Sequence, residues 1–237
     1  MNSPEFPRHP KKTAEPIFLI PPVILTLLGI ILCIHVARTY WIAQALDLQI
    51  LYYFSFIPIR LQALVAGHHS EFSTFGTFIS YSFLHGSWAH VIVNCVWMLA
   101  FGSVVSKRFG IFAFLTCSIA CSIFGALAHL AFFANSPVPM VGASAVISGY
   151  MGAAARFAFP STRQFSIHAH YLPAQSLMDT MKNRQAVTFI GIWFAINLVF
   201  GFSSNLIGGG EHSIAWQAHI GGFLAGLILF PLFDKVH

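Results

Sequence analysis

The sequence predicts an all-α membrane protein, a bundle of six transmembrane helices with a partly embedded first outer loop. Composition and the spacing of apolar runs carry that prediction. Of 237 residues, 57% are hydrophobic and only 8% charged, and the mean hydropathy is +0.73; a soluble domain carries about 25% charged residues. So few charges cannot dress a water-facing surface, which excludes an ordinary soluble enzyme. A helix needs roughly 20 mainly apolar residues to cross a bilayer. Six stretches reach that, near 17–37, 87–105, 110–133, 142–160, 186–203 and 214–233. The period-two alternation of barrel strands is missing, and a helix satisfies its own backbone in lipid.

In chain order, residues 1–16 read as a polar, proline-containing cytoplasmic tail. No small-residue cleavage site follows the first apolar run, which favours an anchoring span over a cleaved signal peptide. The connection 38–86 is far from hydrophilic: "ILYYFSFIPIRLQALVAG" (50–67) is apolar but contains Pro58 and Arg60. It is expected to be interfacial or partly embedded, without forming a seventh span. Pro137 and Pro139 stop the third helix, residues 161–185 form a basic inner loop, and "GGG" at 208–210 loosens the outer loop 204–213. One membrane domain, 17–233, is expected, followed by a short cytoplasmic tail, 234–237.

Orientation follows from the basic residues. With the N-terminus inside, ten of the twelve Lys and Arg residues fall on the inner side, and only Arg38 and Arg60 outside. Both termini are then cytoplasmic, and the net charge of +5 faces anionic lipid headgroups, with no need of nucleic acid. Such an inner face suits a bacterial inner membrane. Cys33, Cys95, Cys117 and Cys121 all lie within spans, and no CxxC or Cys/His cluster suggests a disulfide framework or a metal.

Depth brings the chemistry together. The second, fourth and sixth spans all run inward. They bring His90 and Asn94 (i, i+4 on one face), Ser144 and His219 to one level below the outer surface. Ser144, Ser148 and Gly152 form a small-residue stripe on the fourth span; Ala218, Gly222 and Gly226 form another on the sixth. Such stripes let membrane helices approach closely, so packing and chemistry share a face. A lone serine in a membrane helix is ordinarily a packing residue, and a lone histidine an interhelical bond. Together they permit acyl transfer, with an imidazole taking the serine proton. His90, Asn94 and the Ser144 backbone N–H are candidate oxyanion donors. No carboxylate is available on the fourth or sixth span, so a Ser–His dyad is expected. Val146 excludes the G-x-S-x-G elbow of soluble hydrolases.

At these residues the chain resembles the rhomboid intramembrane serine proteases. "HGSWAHVIVN" (85–94) opens the second span, "GASA" (142–145) the fourth, and "AHIGGFLAG" (218–226) lies in the sixth. The resemblance implies a rhomboid-like bundle, Ser144 as nucleophile, His219 as general base and then acid, His90 and Asn94 on the oxyanion side, and Gly142 as the motif glycine. It implies membrane-anchored protein substrates entering laterally beside the fifth span, membrane lipids as surroundings, a cap at 204–213, and no metal or organic cofactor. Three departures stand out. Ala145 replaces a second glycine, Ser148 stands where some members carry a tyrosine stacked on the histidine, and the Trp–Arg pair some members show in the first outer loop is not visible.

Other residues admit two readings. His85 is a site residue or surface structure; His35 and His129 are expected to be structural. Asn197 fits an interhelical hydrogen bond better than a substrate contact. Phe189, Trp193, Phe194, Phe200 and Phe202 form a movable gate or ordinary lipid-facing bulk. The rivals to a protease are a non-catalytic rhomboid-like protein that binds membrane clients, and a small transporter or channel lined by His and Asn.

Overall fold

The computed structural model describes residues 20–65, 67, 71–159, 171–206 and 215–235. The N-terminal tail, residues 161–170 of the basic inner loop and residues 207–213 of the glycine-containing loop lie outside the described residues, as do the side chains of Phe200 and Phe202. The described chain is helical throughout, with one isolated antiparallel bridge between Phe56 and Met140.

Helix α1 (Pro22–Val36) opens with proline at its first position, where the missing N–H loses no intrahelical bond. It continues through a π-helical turn, Ala37–Trp41, as one 20-residue apolar helix. The first connection then folds as α2 (Gln44–Phe54), α3 (Ile59–Val65) and α4 (Glu71–Ser80), none of span length. Arg38 clamps its start, bonding both oxygens of Asp47 (2.6 and 3.2 Å) and the His85 carbonyl (3.1 Å). Arg60 donates to the Tyr52 carbonyl at 2.5 Å and lies 4.7 Å from that ring's centre. The outward face of α2 keeps Leu46, Leu48, Tyr53 and Phe54 exposed.

α5 (Trp88–Trp97) and α6 (Ser103–Phe109) join through a second π-helical turn, Met98–Gly102, into one 22-residue helix. α7 (Ile111–Phe133) follows, then α8 (Ser144–Ala155), α9 (Leu177–Lys182), α10 (Arg184–Leu206) and α11 (Trp216–Phe233). Among the described residues four helices are long and apolar enough to cross a bilayer: Pro22–Trp41, Trp88–Phe109, Ile111–Phe133 and Trp216–Phe233. α8 is shorter than the 142–160 span expected from sequence. At 1.5 Å per residue its 12 residues reach only about 18 Å. The reason is its position: every residue from Ala145 to Ala155 is buried, so its length is set by protein neighbours, not by lipid.

Close approach holds α8 in that central place. A Cβ on Gly222 would run into the Ala145 carbonyl, and one on Gly226 into the Gly149 carbonyl. A Cβ on Gly149 would strike Cys121 of α7. In lipid there is little hydrophobic drive between helices, so backbone-to-backbone packing has to supply the attraction. The pairings also fix direction. α8 and α11 run parallel (Ala145 with Gly222, Gly149 with Gly226), and α7 runs against both, Gly125 facing Ala145 and Ser118 bonding Tyr150 at 2.7 Å. α5 runs with α8, from His90 beside Gly142 to Gly102 beside Tyr150. The starts of α5, α8 and α11 therefore gather at one end of the bundle.

Candidate active site

α8 begins at Ser144, behind a braced turn. Phe56 and Met140 exchange both backbone bonds (3.1 and 2.8 Å), and the Gly142 N–H donates to the Tyr81 carbonyl at 3.0 Å. Gly142 sits at φ +120°, and a Cβ there would lie 2.6 Å from His90 Nε2; both facts require glycine. Next, the Ala143 N–H donates to His85 Nε2 at 3.4 Å. His85 is 1% exposed, so it is no surface residue. Burial, with His90 and His35 nearby, pushes its pKa down to about 3. The ring is therefore neutral, as an acceptor at Nε2 must be.

The turn delivers the half-buried Ser144 to a ring on α11. His219 is one turn into that helix, and its Nε2 lies 2.7 Å from Ser144 Oγ. The other ring nitrogen, Nδ1, lies 2.5 Å from Asn197 Oδ1 on α10. Asn197 Nδ2 in turn donates to the Trp193 carbonyl at 2.8 Å. On α5, Ser87 caps the helix by accepting the His90 N–H at 3.2 Å. Asn94, one turn on, is 3% exposed, and its Nδ2 has no partner among the described residues. Both His90 and Asn94 face Gly142. A hydroxyl held by an imidazole, beside a helix start with unpaired N–H groups and a spare amide donor, can carry out acyl transfer.

A family model of the rhomboid domain matches residues 72–235, which contain this whole constellation. The chain belongs to the rhomboid family. Rhomboid protease GluP of Bacillus subtilis is 31% identical over 144 residues, 60% of this chain. The match spans 23% of that relative's own length, so this chain resembles one part of it. Rhomboids are an intramembrane protease family, and this rhomboid is an integral membrane protein.

The remaining residues predicted from sequence are distributed as follows. Gly222 and Gly226 meet Ala145 and Gly149, and Gly152 lies against the backbone of Phe223 and Leu227. Ala145, Gly149 and Gly152 of α8 thus all lie against α11. Ser148 is buried beside Gly149. Of the aromatic residues on α10, Trp193 stacks on Phe223 (4.3 Å between centres). Phe189 packs near Phe101 and Phe159, while Phe194 is exposed. Two residues with alternative readings in the sequence sit at the site: His85, read as a site residue or surface structure, holds the turn, and Asn197, expected in an interhelical hydrogen bond, holds the imidazole. The depth argument that grouped His90, Ser144 and His219 would have found Asn197 had it been applied to the fifth span.

Proposed function

We propose that this rhomboid is a serine endopeptidase that cuts membrane-anchored proteins in or near their transmembrane segments. The observation that carries the reading is the 2.7 Å approach of Ser144 Oγ to His219 Nε2 across two helices. His219 takes the hydroxyl proton as Oγ attacks the scissile carbonyl, then returns it to the leaving amine. Water repeats the cycle to release the acyl group. The oxyanion formed in each half-reaction takes the Asn94 amide, His90 and the Ser144 N–H as donors, an arrangement in which one donor is worth about 3–4 kcal/mol. The mechanism calls on no metal and no organic cofactor. α8 and α10 complete the six-helix domain, with both termini on the side of the basic loops, where anionic lipid would favour them, as in a bacterial inner membrane. The site then opens toward the opposite face.

A serine-directed fluorophosphonate tests this reading together with cleavage of a model transmembrane substrate in liposomes. The probe should label the wild type at Ser144, and both labelling and cleavage should vanish in Ser144→Ala and His219→Ala. Intact, folded wild type that neither labels nor cleaves would instead mean a client-binding relative without catalysis.

A further inference from the structure

We infer that Asn197 is a positioning residue for His219, so that the working unit is a Ser144–His219–Asn197 relay completed only when α10 is seated against α11. The inference rests on the serine-protease reading above and adds to the dyad a third member on a third helix.

The hydrogen bonds fix the direction of the relay. The Asn197 amide group donates through Nδ2 to the Trp193 carbonyl at 2.8 Å, which leaves Oδ1 turned toward His219 as an acceptor. A ring nitrogen 2.5 Å from that oxygen must be the protonated one, so the hydrogen sits on Nδ1. The Nε2 lone pair is then free to accept from Ser144 Oγ 2.7 Å away. The other neutral tautomer would set two lone pairs against each other at Nδ1, and at Nε2 it would donate to Ser144 Oγ and leave no lone pair there to take the hydroxyl proton. Asn197 thus selects the tautomer that can act as base, the task an orienting carboxylate performs in serine proteases of the triad type. During the reaction the Ser144 proton moves to Nε2 and back, while the Nδ1 proton stays in place, bonded to Oδ1.

Two further features point the same way. Asn197 is 9% exposed and polar within an apolar helix; a buried amide of that kind is costly unless bonded. Four residues after Ser144, α8 presents only Ser148, which has no ring to lay over the imidazole. The hold on His219 therefore comes from α10. Asn197 with His219 is one rung between α10 and α11; one turn away, Trp193 stacked on Phe223 at 4.3 Å is another. The faces of α10 that carry Ile192, Ile196 and Val199 are exposed. Displacing α10 would break both rungs together, leaving the base without its tautomer control.

The test uses the purified full chain in detergent, the fluorophosphonate labelling rate, and thermal unfolding as a control for folding. Asn197→Leu keeps the branched shape and removes the acceptor. It should unfold near the wild-type temperature and label roughly 10–100-fold more slowly, less than the ~10⁴ lost when a charged orienting residue is neutralised in a serine protease. Asn197→Asp restores the acceptor and adds charge. It should recover labelling over Asn197→Leu, and the midpoint of its rate–pH profile should move to higher pH, because a carboxylate favours the charged imidazolium. The other titratable group bearing on the ring, His90 from α5, is unchanged in both variants. Wild-type labelling in folded Asn197→Leu would overturn the relay, as would an unmoved midpoint in Asn197→Asp. The second result decides if the leucine variant fails to fold. If the wild type itself does not label at Ser144, the protease reading falls and the relay with it. If it labels but the Asn197 variants match it, only the relay falls.

Discussion

Where α6 meets the end of α11, Arg108 bonds both oxygens of Asp234 (2.8 Å each) and the Leu172 carbonyl (2.7 Å). The guanidinium lies near the Phe157 and Phe230 rings (4.6 and 5.4 Å). Beside it Arg156 donates to the carbonyls of Gln175 and Leu227, 2.9 Å each. At the opposite end of the bundle, Ser144 is half-buried and its imidazole is satisfied, yet Asn94 Nδ2 is buried with no partner among the described residues. Both ends sink polar groups into an apolar bundle. The arginine end answers its charges with carbonyls and a carboxylate from the same chain, which is what a lock requires. The serine end leaves a donor idle, which lowers stability and makes sense only if something else completes it. Strain of that kind is characteristic of functional sites.

Breaking the lock should give the largest change in stability. Asp234→Asn leaves the Arg108 guanidinium, whose side chain is 0% exposed, without its counter-charge, and removing one partner of a buried pair costs about 3–5 kcal/mol. Thermal unfolding in detergent should fall sharply, while the protein that remains folded should label with fluorophosphonate at the wild-type rate. Loss of labelling without loss of stability would mean the two ends are not separable in this way.

Between the ends, Gly226→Ala should lower both properties at once. Its methyl group would meet the Gly149 carbonyl, and overpacking of this kind costs about 1–3 kcal/mol. Pushing α11 from α8 also lengthens the Ser144–His219 approach, so the labelling rate should drop with the unfolding temperature. A variant that labels normally would show that α8 and α11 adjust their spacing away from the site.

Much of this division was legible in the sequence. Helix directions and depth were enough to gather His90, Asn94, Ser144 and His219, because residue spacing along a helix translates directly into ångströms. The lock was not legible. Arg108 and Arg156 were read as topology charges, and Asp234 as part of a tail, since pairing across 126 residues follows from how helix ends meet in space. α8 was expected at full span length for a related reason: hydropathy cannot distinguish a helix bathed in lipid from one enclosed by other helices. Gly149, which lies against the backbones of Gly222 and Gly226, was not among the small residues found by counting in fours from Ser144. A turn of 3.6 residues drifts, and neighbouring small residues can exchange places in a seam.

His85 links stability to pH at the serine end. Its folded pKa is about 3 against an ordinary 6.5, so between those values the unfolded chain binds more protons. The stabilisation it contributes is complete above about pH 6.5 and is lost as pH falls toward the folded value. Going from about pH 7.5 to about pH 5.5 should cost about 1.4 kcal/mol through this one ring. His85→Gln removes the titration while keeping an acceptor for the Ala143 N–H, so its unfolding temperature should fall less over the same range. Equal slopes would mean the ring is not held neutral by the turn.

Asn94→Leu should change stability least and sharpens the contrast most. The substitution keeps the branched shape and removes a buried amide whose Nδ2 has no partner among the described residues. Replacing an unsatisfied polar group by an apolar one of similar shape is near neutral or stabilising, by up to about 1 kcal/mol. The labelling rate should nevertheless fall about 10²–10³-fold if that amide serves the oxyanion. Asp234→Asn and Asn94→Leu are then opposites, one losing the fold and keeping the chemistry, the other keeping the fold and losing the chemistry. A clear drop in unfolding temperature for Asn94→Leu would show that the amide is already used within the folded chain, and the idle donor on which the contrast rests would disappear.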